Sequence, residues 1–343
     1  MKLRFLTGAL LAATAINAQA ATAVAGSAID LGRYSVAGTY NLDILNGTSG
    51  GISGLEASAV AFAGDRIDPF TGTAGTLFFV GDEGTGVVEV SRTGKTIGYM
   101  NFDWTGTGST KNDTEALTYL GNGTLVVGEE RLFDAYRFDY VANGTATLAN
   151  TSVSISNATV GNHGMEGLSY DPRDGSFVAI KQDSPEDILA GTLSFASALG
   201  GTSTMSNLFD PTLLGLSTLS DVQTLAPVSA LAGSAAADNL LILSLGSRSL
   251  LEVSRSGDVL SAFDLSSLLN TISGDFNAIE GVTIDDKGTI YLVAEQLQGA
   301  GAPLDARSQL IVLTAPVPEP ETYAMMLAGL GLIGSVLRRR RQG

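Results

Sequence analysis

No cysteine occurs anywhere in this chain, which excludes disulfides, thiolate nucleophiles and cysteine-ligated metals. The 343 residues hold one histidine, His163, and five lysines, so histidine-based acid–base chemistry and a Walker-type phosphate loop have little to draw on. Positive charge is scarce: 19 Lys and Arg face 35 Asp and Glu, a formal net charge of −16. A surface of that sign repels nucleic acid, attracts divalent cations and tolerates a salty exterior. Long apolar runs are missing as well, since the two best candidates, at the ends, fall short of the roughly 20 residues a spanning helix needs. Glycine, by contrast, is plentiful at 42 residues. Gly/Ser/Thr/Ala-rich stretches such as 105–110 and 229–237 read as loops between strands.

Residues 1–20, MKLRFLTGALLAATAINAQA, place Lys2 and Arg4 before an apolar run that finishes on Ala18-Gln19-Ala20. That is the pattern of a cleaved signal peptide, with the mature chain beginning near Ala21. At the other end VPEP (317–320) precedes YAMMLAGLGLIGSVL (323–337) and then Arg338, Arg339, Arg340 and Arg341. Those three parts in that order resemble the PEP-CTERM sorting tail of Gram-negative bacteria. The resemblance implies an exosortase-type enzyme as partner, transient membrane insertion through 323–337, and release or attachment at the cell surface. An ordinary C-terminal anchor with its arginines held inside fits the same physics. The expected organisation is a signal peptide (1–20), one body (21–315) and a sorting tail (316–343). Without Lys2, Arg4, the four terminal arginines, Glu319 and Glu321, 13 basic residues remain against 33 acidic ones, about −20 for the body.

Within the body a segment recurs five times, opening on Glu56 (LEASAV), Glu115 (TEALTY), Glu166 (MEGLSY), Gln223 (VQTLAP) and Glu280 (IEGVTI). Spacings of 59, 51, 57 and 57 residues suit a propeller and not a helical solenoid. Each opening strand is followed by a polar turn and a β-rich run: TLFFVG from Thr76, TLVVGE from Thr124, SFVAIK from Ser176, LLILSL from Leu240 and TIYLVA from Thr289. Two copies continue as GVVEVSRTGKTIGYMNF from Gly86 and SLLEVSRSGDVLSAFDL from Ser249, each a strand, an Arg-x-Gly turn and a strand. The ambiguous stretches 188–201 and 208–219 belong with the third repeat. The last repeat reaches only a third strand, at 309–315, and YSVAGTYNLDI (34–44) supplies the missing fourth. The expected fold is therefore all-β: a five-bladed β-propeller of four-stranded antiparallel blades, its ring closed by an N-terminal strand that removes the open sheet edges. Six blades would require a long spacer to hide a degenerate repeat.

The strings DTEALTYLGNGTLVVGEER (113–131), TLFFVGDEGTGVVEV (76–90) and HGMEGLSYDPRDGSFVAIKQD (163–183) are similar to the SdiA-regulated domain family over roughly 51–296. The resemblance implies an exported propeller distantly related to NHL repeats, with a calcium site in some members. Ala57 and Ala116 stand where the motif has glycine, and Gln223 where it has a carboxylate. A weaker similarity, in the E-G-[LV]-x-[YI] strand openings, is to the phytase-like esterase family.

Equivalent residues at the start of a propeller's inner strands converge on one axis. Glu56, Glu115, Glu166 and Glu280, with the amide of Gln223, would then face each other, and Asp113 and Asp221 could add ligands. Carboxylates so placed repel unless protonated or bridged by a cation. Calcium, which takes six to eight oxygens in irregular geometry, suits such a ring better than magnesium. The alternative is that each glutamate accepts backbone N–H groups of the next blade. A second column, Asp82, Glu130, Gln182 and Glu295, follows the second strands at one rim, where solvated acids are the simpler reading. The Gly47–Gly51 pattern GTSGG lacks the strand-to-helix elbow of a nucleophile motif. His163 with Asp183 and Glu186 is the one irregular polar cluster. Two functions follow: a non-enzymatic calcium-binding scaffold that meets envelope polysaccharide or surface proteins, or a metal-assisted esterase or phosphatase.

Overall fold

The structure, a computed structural model, describes residues 26–42, 56–156, 160–268, 271–272, 275–276, 278–295 and 308–315. The signal-like segment, GTSGG and the PEP-CTERM tail lie outside the described residues. Those described form strands and short 3-10 turns, with no α-helix among them and none long and apolar enough to cross a membrane.

Five sheets are arranged around one axis. Their innermost strands are Ala57–Ile67, Thr114–Gly121, Met165–Asp171, Asp221–Thr224 and Ile279–Ile284, each in contact with the inner strand of the next blade and the fifth with the first. Ser35–Asn41 pairs antiparallel with Gln309–Thr314, from Ser35 opposite Thr314 to Asn41 opposite Gln309, and completes the fifth blade. The ring is closed and five-bladed, as the repeat count predicts.

Burial explains the strand assignments. Second strands such as Ala74–Gly81 and Leu240–Ser244 are apolar on both faces because each sheet is sandwiched between two others, so they read as continuous β-branched and aliphatic runs. The two look-alike segments fold alike: Gly86–Val90 with Thr96–Asp103, and Ser249–Val253 with Val259–Asp264, each slipping register at the residue after Glu89 or Glu252. One departure from four-stranded blades occurs in the first, where Thr145–Thr147 adds a fifth strand parallel to Thr96–Asp103. In the third blade, residues 188–201 divide into the third strand, Asp187–Gly191, and half of a small hairpin, while the Leu-rich stretch beyond forms the 3-10 turn Pro211–Leu214.

Candidate functional site

Backbone pairing fixes which residues are equivalent. Against their second strands, the inner strands skip one residue in four blades, leaving Ser58, Glu115, Glu166 and Glu280 as β-bulges. A bulge turns its side chain away from the ladder and re-aims it. Three residues further on, Thr118 Oγ1, Ser169 Oγ and Thr283 Oγ1 accept hydrogen bonds from Tyr170 N (3.0 Å), Thr224 N (2.9 Å) and Phe62 N (3.1 Å) of the following blade. The same stitch gives the register of the fourth blade, where Ser220 holds the glutamate position. Sequence alignment on the acids therefore differs from structural register in two blades: Glu56 lies two residues before its bulge, level with Asp113, and Gln223 lies three residues after.

These offsets decide what meets at the axis. Glu115, Glu166 and Glu280 converge at one mouth of the channel, joined by Glu56 and Asp113 from the residues just outside the bulges. Asp82, Glu130 and Glu295, at the ends of the second strands, complete the same cluster and are not solvated rim acids. Glu130 is 3 % exposed. Eight carboxylates from four blades thus share one mouth, in which Glu166 and Glu280 help line a cavity of about 290 Å³ with Gln182, Ser220 and Arg248. Two guanidiniums stand nearby: Arg248, and Arg131, whose Nε donates to Asp113 Oδ2 at 2.7 Å.

Burial first, and then mutual repulsion, disfavours ionisation here. Both push Glu115, Glu166 and Glu280 well above the usual carboxylate range. Asp82 rises to about 7 through burial and the charges of Glu56 and Glu295. Glu130 rises to about 7 through burial and its hydrogen bond with Asp113. Glu295 rises to about 7 through burial and the charge of Glu56. One corner is suited to a cation: Glu56, Asp82 and Glu295 each offer an oxygen, all within 4.8 Å of one another, and Asp82 Oδ1 is buried with no hydrogen-bond partner among the described residues. Oxygens on opposite sides of a calcium ion at 2.3–2.6 Å are about 5 Å apart, so three at this spacing can share one.

Neither Gln223 nor Asp221 reaches the cluster. Gln223 Oε1 accepts from Thr283 Oγ1 at 3.0 Å, and its Nε2 donates to Ser169 Oγ and Thr224 O. Asp221 occupies the place of the motif glycine; its two oxygens accept from Val222 N and Val282 N, each at 2.7 Å, tying the fourth blade to the fifth. That is the stitching role foreseen for acids of the ring, performed by a different carboxylate. Burial pushes Asp221 well above its usual range. Sequence reasoning placed Asp82 and Glu295 in a separate column because they lie on different strands from the motif acids; their common distance beyond the second-strand runs was the available signal. His163 Nδ1 lies 2.9 Å from Asp183 Oδ1, an ion pair when the ring is protonated, whereas Glu186 lines a separate depression with Asn207 and Phe209.

Comparison with known proteins gives two family matches. A model of the SdiA-regulated family matches residues 52–296, and the PEP-CTERM protein-sorting motif matches 316–341. Among solved structures, a protein of unknown function from Bacteroides caccae is similar at 12% identity, covering 67% of this chain and 70% of its own, with a TM-score of 0.35.

Proposed function

Since the chain belongs to the SdiA-regulated family and carries a PEP-CTERM sorting motif, we propose that this exported β-propeller binds calcium at its acidic mouth and serves as a binding or scaffold module of the envelope. The sorting motif implies recognition by an exosortase-type enzyme and processing at the C-terminus. One observation carries the calcium reading: eight carboxylates face two guanidiniums at one mouth, with the oxygens of Glu56, Asp82 and Glu295 close enough to share an ion. Glu56 and Asp82 come from the first blade and Glu295 from the fifth, so the ion would bridge the two blades where the ring is closed. Binding to the native state alone raises stability by mass action, about 2.7 kcal/mol at a hundredfold excess over Kd. Calcium added to chelated protein should therefore raise the melting temperature, and Asp82→Asn with Glu295→Gln should abolish the rise. An unchanged melt at millimolar calcium removes the metal.

The metal-assisted esterase or phosphatase is a second reading, favoured by the His163–Asp183 contact, in which a carboxylate can orient an imidazole for proton transfer. Turnover of a generic phosphomonoester or acyl ester that is lost in His163→Ala would support it. No turnover with calcium present would leave the scaffold.

A further inference from the structure

The other ends of the inner strands enclose a second cavity, of about 340 Å³, to which all five blades contribute. Its walls are mostly apolar, formed by Leu120, Tyr170, Pro172, Pro227 and Ile284. The polar groups on its floor are those of the inter-blade stitch. Thr283 Oγ1 accepts from Phe62 N and donates to Gln223 Oε1, while both N–H groups of Gln223 are donated within the fourth and third blades. Tyr119 donates its hydroxyl proton to Asp65 Oδ1 at 2.6 Å and accepts from Gly123 N at 2.7 Å. A polyol entering here would leave most of its hydroxyls unpaired, at a cost that disfavours sugars.

What the cavity does offer is negative charge on an apolar body. Asp65 and Asp286, both exposed, are its charged lining residues, from blades one and five, and no basic side chain lines it among the described residues. Asp65 is held in place by Tyr119 and by Asn122 N at 2.7 Å. Each of its oxygens retains a lone-pair direction for a further donor. A ligand anion would be repelled by these two carboxylates and by the net charge of −16, whereas a cation would be steered in.

We propose that this second mouth binds a small cationic amphiphile: an amine whose ring or short alkyl body fills the apolar walls and whose ammonium meets Asp65 and Asp286. The site is independent of the calcium mouth. Calorimetric titration of the full-length protein with phenethylamine tests it, beside phenylacetate, which keeps the ring and reverses the charge, and glucose. Saturable binding of the amine is expected, with none of phenylacetate or glucose. Asp286→Lys, at an exposed position that leaves the fold intact, should weaken binding about tenfold or more. Chelation, or Glu295→Gln at the opposite mouth, should leave it unchanged. Absence of saturable amine binding overturns the proposal, as does equal binding of phenylacetate, uptake of glucose instead of the amine, or indifference to Asp286→Lys. Displacement of the amine by calcium would also overturn it, by placing the amine among the acids of the first mouth.

Discussion

The motif glycine after the bulge is present for space. A Cβ on Gly281 would come 2.6 Å from Val293 Cγ2 and 2.9 Å from both Ala59 Cα and Ser58 O, so the fifth blade meets the backbone of the first only without a side chain. Gly167 is confined in the same way by Asp221 and Val222. Where the second blade carries Ala116 instead, its ladder partner is Gly128, whose own added Cβ would lie 2.8 Å from the Ala116 methyl. The volume lost on one strand is recovered on its neighbour. Gly281→Ala should accordingly destabilise by about 1–3 kcal/mol through overpacking. A lower urea midpoint with an unchanged m-value is the expected result. An unchanged midpoint would mean that the two blades are not in such close contact.

At the scale of elements, the N-terminal segment is held at two points. Ser35–Asn41 covers the edge of Gln309–Thr314, which would otherwise be left open to pairing with other chains. Ahead of it, the backbone docks on Glu252, a fully buried carboxylate of the fourth blade. Glu252 accepts from Ala28 N (2.5 Å), Ser27 Oγ (2.6 Å), Asn239 Nδ2 (2.9 Å) and Ser261 Oγ (2.9 Å). Its counterpart in the first blade, Glu89, is equally buried but receives a two-pronged bond from Arg66 at 2.6 and 2.8 Å. The same pattern, GVVEVSR or SLLEVSR, thus takes a side-chain cation in one blade and a strap of backbone in another. Glu252→Ala would strand several buried donors, at a cost of about 2–4 kcal/mol. Hydrogen exchange should show the amides of residues 28 and 29 losing protection first; uniform protection would contradict the docking.

For the whole molecule, the dominant feature is negative charge focused on one mouth, where eight carboxylates outnumber two guanidiniums. The folded-state pKa values of Asp82, Glu130 and Glu295, at about 7, lie above the ordinary unfolded values of roughly 4. A carboxyl raised on folding contributes stability that is fully present below its unfolded pKa and lost as pH rises through the folded one. The chelated protein should therefore melt at progressively lower temperature as pH rises from about 4 to above 7. Calcium should flatten that slope, because it replaces the protons, and its apparent affinity should fall as pH drops below about 7. Melting curves at pH 5 and 8, with and without chelator, check both effects. A melting temperature higher at pH 8 than at pH 5 in chelator would contradict the cluster's mutual repulsion.

Local pattern was enough for the architecture. Repeats of 51 to 59 residues, runs of buried β-formers and one blade short of a strand at 309–315 leave a closed ring of five as the arrangement that completes the last blade, and Ser35–Asn41 takes that place by pairing with Gln309–Thr314. Composition likewise determined the acidic character and the absence of thiol chemistry. Which acids meet was decided only by tertiary structure. Glu56 and Gln223 align with Glu115 in sequence but stand two residues before and three residues after its place in the ring, because pairing within and between blades sets the register and leaves no mark in composition. Asp82, Glu130 and Glu295 join the motif acids because second strands end beside the starts of first strands, a proximity created when the chain turns back on itself and the blades close around an axis.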